Sequence, residues 1–260
     1  MHVLMVIDVG NTHVTVGVFS DRDLTATWRL TADSRRTDDE YLLLLAALLE
    51  RRGVAPGDID AVAICSVVPP LTEIVCRALT GLVGCEPMVV GHDTQLGLTN
   101  LYDRPQDVGA DRLVDAVSAV QLYGGPAIVV DFGTATVFDA ISAQREYLGG
   151  AISPGIHLAA DALYQATSLL RRVDLDPPER AIGGNTTRAI QSGLLYGYVG
   201  LVEGMIHRFR AELSPQAPEG VKVIATGGLA AVIADHTDEF THVDENLTLT
   251  GLRLVYERNR

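Results

Sequence analysis

The sequence predicts an α/β fold of two similar halves, each a mixed sheet flanked by helices, with a cleft between them. Three observations lead there. The stretch "VIDVGNT" (residues 6–12) returns as "VVDFGTAT" (residues 129–136), and each copy opens one half of the 260-residue chain. Each copy is followed by a second apolar stretch, "VTVGVF" or "VFDAI", so a strand, a tight Gly turn and a returning strand make a β-hairpin. Beyond the hairpins, segments of helical and strand period alternate. One match could be chance, but two, each heading half of the chain, indicate a duplicated domain. Residues 1–108 form the first half with a connecting segment, and residues 109–260 the second with a linking helix.

The elements follow in order. After the first hairpin, "LTATWRLT" (residues 24–31) reads as a third strand. In "TDDEYLLLLAALLERRG", Thr37 is the N-cap and Glu40 stands three residues on, a capping box. The apolar run that follows stops at Gly53, which makes a helix whose Tyr41 and leucines face the core. "DAVAICSVV" (residues 60–68) is a buried strand, residues 70–82 a helix, and "PMVVG" a short strand. Residues 91–105 are irregular and rich in turn formers, and with the helix starting near Gly109 they join the halves. Strands near residues 127–131, 135–141 and 147–152 precede two long helices, about 155–168 and 185–213. "VKVIATGGLAAVIAD" is then a strand, a Gly-Gly turn and a helix, and residues 243–258 close with another helix. "RRVDLDPPER" (residues 171–180) mixes charges with prolines and reads as an exposed loop.

Composition removes several function classes. At 47% hydrophobic and 20% charged, the chain is an ordinary globular protein with ample mass for a core. A net charge of −13 argues against non-specific binding to nucleic acid or anionic membrane. Lys222 is the only lysine and no Gly-x-x-x-x-Gly-Lys-Ser/Thr segment exists, which excludes a P-loop nucleoside triphosphatase. Cys65, Cys76 and Cys85 form no Cys-x-x-Cys pair and are odd in number, so neither a disulfide framework nor a zinc site is expected. That usage fits a reducing cytoplasm. The first apolar run stops at Asp8 without a basic leader or cleavage site, so no signal peptide is expected. The longest apolar run, residues 42–49, is too short to span a bilayer.

Asp8 and Asp131 carry the chemistry of the repeat. Each sits at the end of an apolar strand and is followed by Gly-rich turn residues. Burying a charge there is costly unless something meets it. The turns can offer backbone N–H groups to phosphates, because glycine permits close approach. The carboxylates cannot bind phosphate directly, but they can hold a cation that does, such as Mg²⁺, usually through water. Taken singly, either Asp could equally cap its turn by an Asx hydrogen bond; the pair favours the ligand reading. His13, beside the first turn, reads as an exposed turn histidine. "ATGGLA" (residues 225–230) adds a strand, Gly227-Gly228 and a helix, where a nucleotide could lie. With both hairpins it resembles the phosphate 1, phosphate 2 and adenosine elements of the acetate-kinase/sugar-kinase/Hsp70/actin superfamily, whose lobes are actin-like, or ribonuclease H-like.

"VGADRLVDAV" (residues 108–117) places Asp111 and Arg112 in a first helical turn. Asp111 suits the helix dipole, a sufficient structural reason for it. Arg112 does not suit that dipole and calls for an anionic partner, such as a substrate carboxylate. Asp111 could accept the proton of an attacking hydroxyl, as an Asp does in kinases. Both readings stand at this point.

From end to end the chain resembles the type III pantothenate kinases. The matching segments are "DVGNT" (8–12), "WRLT" (28–31), "RRTDDEY" (35–41), "SVVP" (66–69), "VGADR" (108–112), "DFGTAT" (131–136), "YLGGAISPG" (147–155), "NT" (185–186), "QSG" (191–193), "GYVG" (197–200), "ATGGLA" (225–230) and "LTLTGLRLVYERN" (247–259). The resemblance implies ATP-dependent phosphorylation of the primary hydroxyl of pantothenate, the first step of coenzyme A synthesis. It implies that Asp111 is the proton acceptor, and that Tyr102, Gly109, Ala110, Asp111, Arg112 and Thr186 contact pantothenate. Asp8, Val9, Gly10, Asn11, Thr12, His13, Val14 and Thr15 would form the ATP phosphate loop, with Thr134 a second ATP contact. Asp131 would hold a monovalent cation, K⁺ or NH₄⁺, beside the Mg²⁺ that accompanies ATP, for which Asp8 is a candidate through water. A homodimer is also implied, and the small residues of "GYVG" suit close helix packing there or within the chain. The pattern departs from the family at Ala166 and "LLRRV", with Arg171 in place of a proline, and at Ala159 and Val137. Two rivals follow: a kinase of another small hydroxy compound, and a weak or inactive accessory homologue of the same fold.

Overall fold

The structure is a computed structural model, and it describes residues 2–167 and 170–260, with Pro218 described by its backbone only. Among the described residues the chain divides into two compact units. The first holds residues 1–98, 103–118 and 247–260, and the second residues 99–102 and 119–246.

The first unit is built on a five-stranded sheet of order β3-β2-β1-β4-β5. Its strands are β1 (Val3–Val9), β2 (His13–Ser20), β3 (Asp23–Thr31), β4 (Ala61–Ser66) and β5 (Met88–Val89). β1, β2 and β3 run antiparallel, while β4 and β5 continue the sheet in parallel. Strand alternation sorts the side chains. Met5, Ile7 and Val9 enter a core with α1 (Asp38–Glu50) and α2 (Pro69–Val83). Leu4 and Val6 enter the opposite core, with α3 (Ala110–Leu122) and α7 (Leu247–Asn259). The capping box on α1 forms as expected: Thr37 Oγ1 accepts from Glu40 N–H, and Glu40 Oε2 accepts from Thr37 N–H at 2.8 Å. Tyr41 is fully buried, its hydroxyl accepting from Asp33 N–H at 3.0 Å. Trp28 packs, partly buried, against the same core.

The second unit repeats the plan. Its sheet has the order β11-β10-β7-β8-β9-β6, with β6 (Thr99–Asn100), β7 (Ala127–Phe132), β8 (Ala135–Ile141), β9 (Glu146–Pro154), β10 (Lys222–Thr226) and β11 (His242–Val243). Reading β9-β8-β7-β10-β11 gives the same succession of antiparallel then parallel neighbours as β3-β2-β1-β4-β5. The echo in sequence is an echo in topology. One face packs on α4 (Ile156–Ala166), α5 (Thr186–Leu213) and α6 (Ala230–Ala234).

Three details differ from the sequence reading. Residues 99–100, expected irregular, form β6, because Leu101 N–H and Thr99 N–H find carbonyls of Tyr147 and Arg145 on β9. Val243, expected in the last helix, pairs with Ala225 in the sheet, and the helix begins at Leu247. A division at residue 108 falls inside a stretch that packs with the first unit, which α7 also joins through Leu249, Leu252 and Val255. The end of the helix expected over residues 155–168 lies outside the described residues, as does Leu169 of the departing "LLRRV".

Candidate active site

Asp8 ends the Leu4–Val6–Asp8 face of β1, so alternation alone aims its carboxylate at the side covered by α3 and α7. The turn beyond it is tight: Gly10 N–H donates to His13 O at 2.9 Å, and a Cβ on Gly10 would stand 3.2 Å from that carbonyl. Asn11, Thr12 and His13 are exposed, Val14 is buried, and Thr15 pairs with Asp8 across the hairpin. On the other side Asp8 is in register with Cys65 of β4, whose Sγ donates to Asp8 Oδ1 at 3.3 Å.

Asp111 comes to the same place from α3. Its Oδ1 accepts the N–H of Arg112 at 2.8 Å. The carboxylate also lies where a Cβ on Gly109 would be, with Val67 Cγ1 at 3.2 Å on the other side of that absent atom. A side chain at Gly109 would therefore displace the carboxylate folded over it. Burial first, then the charge of Asp111, push the Asp8 carboxyl up to about 7, with the Cys65 hydrogen bond opposing. Burial raises Asp111 too, offset by the Arg112 N–H and guanidinium. Two buried carboxylates, one raised by the charge of the other, are oxygen donors that a hard cation satisfies. Among the described residues no cluster of three or more His, Cys, Asp or Glu side chains could cage a metal. The donors present thus fit a cation that keeps water and phosphate ligands, as Mg²⁺ does.

In the second unit Asp131 takes the matching place on β7, in register with Val137 of β8 and Thr226 of β10. Gly133 N–H donates to Ala135 O at 3.1 Å, closing the turn that carries Thr134. Gly155, at the start of α4, donates to Thr134 O at 3.1 Å and packs so closely that a Cβ would meet Gly133 O at 2.7 Å. Gly227 has φ +88°, and a Cβ there would strike the Asp131 carboxylate and approach Phe132 N to 2.7 Å. The third motif thus lies directly on the second hairpin. Thr136, buried, hydrogen-bonds the Tyr198 hydroxyl of α5. Burial and the nearby Asp131 charge push that phenol up to about 12, against a backbone hydrogen bond from Ile156.

The remaining expected residues stand apart within this unit. Tyr102 N–H donates to Asn100 Oδ1 at 3.0 Å; its ring tilts on Tyr147 with centroids 6.3 Å apart and covers Gly149. Tyr147 is itself fixed by a 2.6 Å bond from its hydroxyl to buried Asp139. Thr186 is exposed at the head of α5, whose N-cap Asn185 accepts from Arg188 N–H at 2.9 Å. Sequence reasoning did not single out Cys65, Thr136, Tyr147 or Gly149. Only register and packing put them beside the expected residues, although the even spacing of Ala61, Ala63 and Cys65 placed that thiol on one strand face.

Comparisons with known proteins bear on the family and the fold. A family profile described as type III pantothenate kinase matches residues 4–208. A type III pantothenate kinase of Moorella thermoacetica is 47% identical over 256 residues, covering 98% of this chain and 99% of its own. One from a Roseiflexus species is 48% identical over 260 residues, covering 99% of each. Among solved structures, one described as a conserved Baf-family transcriptional activator of Campylobacter jejuni superposes with TM-score 0.63 at 18% identity, covering 98% of each chain. One described as a 2-dehydro-3-deoxygalactonokinase of Sinorhizobium meliloti gives TM-score 0.59 at 14% identity, covering 98% of this chain and 96% of that one. At such identities the two structures speak to the fold alone.

Proposed function

Since the chain belongs to the type III pantothenate kinase family, we propose that it transfers the terminal phosphoryl group of ATP to the primary hydroxyl of pantothenate, opening coenzyme A synthesis. The observation that carries this is that Asp8 and Asp111 share one buried region of the first unit, near enough that the charge of Asp111 raises Asp8: the first is the carboxylate expected at the phosphate loop and the second the one expected to receive the hydroxyl proton. Asp111 takes that proton as the phosphoryl group moves to the hydroxyl oxygen. In a loose transition state its main task is to orient the hydroxyl, so a strong base is not needed. The Arg112 N–H bond and the bare Cα of Gly109 hold the carboxylate still. Arg112 pairs with the pantothenate carboxylate through its planar guanidinium. Gly109, Ala110, Tyr102 and Thr186 complete the pantothenate contacts.

Residues 8–15 take the ATP phosphates through backbone N–H groups, and Thr134 adds a second contact. A chain with one lysine has little side-chain ammonium charge to offer a triphosphate. Asp8 would hold Mg²⁺, which would supply charge neutralisation to the phosphates when bound. Asp131 would hold a monovalent cation in the same sense. Among the described residues no helix is long and apolar enough to cross a membrane, and the three cysteines are free, which supports a cytoplasmic place. A homodimer is supported by the second unit. Gly193, Gly197 and Gly200 line one exposed stripe of α5 with open space where side chains would be, and Leu201 beside them is exposed. Leu158, Leu163 and Tyr164 of α4 are also exposed. The departures Ala166 and Arg171 are exposed.

A coupled assay of ADP release with pantothenate, Mg²⁺ and K⁺ tests the proposal. Release that needs pantothenate and both cations is expected. Release driven by another hydroxy compound, with pantothenate inert, overturns the substrate; no release with any hydroxyl acceptor overturns the kinase reading.

A further inference from the structure

The face of the first sheet turned to α3 and α7 is apolar: Leu4 and Val6 on β1, Phe19 on β2 and Ala63 on β4 pack with Val114 and Val117 of α3 and Leu249 and Leu252 of α7. Cys65 completes that face and is fully buried. An alanine or valine would complete it equally well by packing. Instead a donor stands in register with Asp8, its Sγ 3.3 Å from Oδ1. The second sheet repeats the arrangement. The residue in register with Asp131 on the neighbouring parallel strand is Thr226, also buried and also able to donate. Two sheets of one topology thus put a short donor side chain beside each hairpin aspartate.

From this we infer that Cys65 is a positioning residue: its thiol ties down one oxygen of the Asp8 carboxylate, so that the carboxylate meets the nucleotide-bound cation in a single orientation. The inference rests on the reading of Asp8 as part of the phosphate loop. The thiol suits the task. Fully buried, it aims its one S–H at Asp8 Oδ1. A side chain with no free rotation beyond its Sγ also costs little entropy to fix. Without it, Asp8 would have to be oriented by the cation itself, and the cation would bind less tightly.

Two measurements test this. The S–H infrared stretch of Cys65, identified by its loss in Cys65→Ser, is recorded without nucleotide or metal. It is expected to move to higher wavenumber in Asp8→Ala, where the acceptor is gone. In steady-state kinetics, Cys65→Ala is expected to raise the Mg²⁺ concentration for half-maximal turnover about five-fold, with the KM for pantothenate unchanged. Cys65→Ser, which keeps a donor, recovers most of that loss. Added to Asp8→Asn, Cys65→Ala has no further effect, because the two act through one contact. An S–H band that does not move in Asp8→Ala, or an unchanged Mg²⁺ requirement in Cys65→Ala, overturns the inference and leaves the Asp8 reading intact. An unchanged Mg²⁺ requirement in Asp8→Asn removes that reading, and the inference with it. The infrared result decides even where Cys65→Ala does not fold.

Discussion

Asp8 holds the last place on an aliphatic strand face, and the fold bears a cost for it. Its carboxyl is raised from an ordinary 3.8 to about 7 by burial and by Asp111. Between those values the folded chain keeps a proton that the unfolded chain has released. Stability without ligands therefore falls as pH rises from about 4 to about 7, then levels, by an amount on the order of a few kcal/mol. Asp8→Asn removes the penalty. Its melting temperature should exceed the wild type's most at pH 8 and least near pH 4; equal curves at both would show that Asp8 is not buried as a charge. Asp111 yields a kinetic prediction. Asp111→Asn should lower turnover about 100-fold or more while moving the KM for ATP less than about three-fold. Near-normal turnover would take the proton-accepting role from it.

At the scale of elements, local rules and close approaches divide the work. α1 is set by its own sequence: Thr37 and Glu40 satisfy the first turn reciprocally. Thr37→Ala should cost about 1 kcal/mol in denaturant unfolding and leave kinetic constants unchanged, since the cap touches no expected ligand. The strand–turn–helix at Gly227 is set by its neighbour. Its positive φ and the Asp131 carboxylate both exclude a side chain. Gly227→Ala should therefore cost about 2 kcal/mol or more and also weaken ATP binding by calorimetry. A variant that lost stability but bound ATP normally would separate this turn from the nucleotide.

For the whole molecule, the exposed glycine stripe and leucines of the second unit argue for a partner. Sedimentation should give twice the 27.8 kDa chain mass, and Leu201→Glu should return the mass of one chain. A wild-type chain that sediments alone would leave those apolar side chains facing water for another reason.

Much of the fold was legible in the sequence because hairpins, capping boxes and Gly turns are short-range events, written within a dozen residues. The repeat of "VIDVGNT" in "VVDFGTAT" even carried the topology, since one pattern of strands specifies one order of pairing. Asp8, Arg112 and Asp131 drew attention for the same reason, since each breaks a local rule about where a charge belongs; Asp111 breaks none and stood out only beside Arg112 and through the family resemblance. What only the tertiary structure decided is partnership. Nothing local says that Cys65 falls opposite Asp8, that Gly227 lies on Asp131, that residues 99–100 find a strand edge, or that α7 returns to the first sheet. These are set by register and packing between segments far apart in the chain, where the free energy is gained only once the whole face is buried.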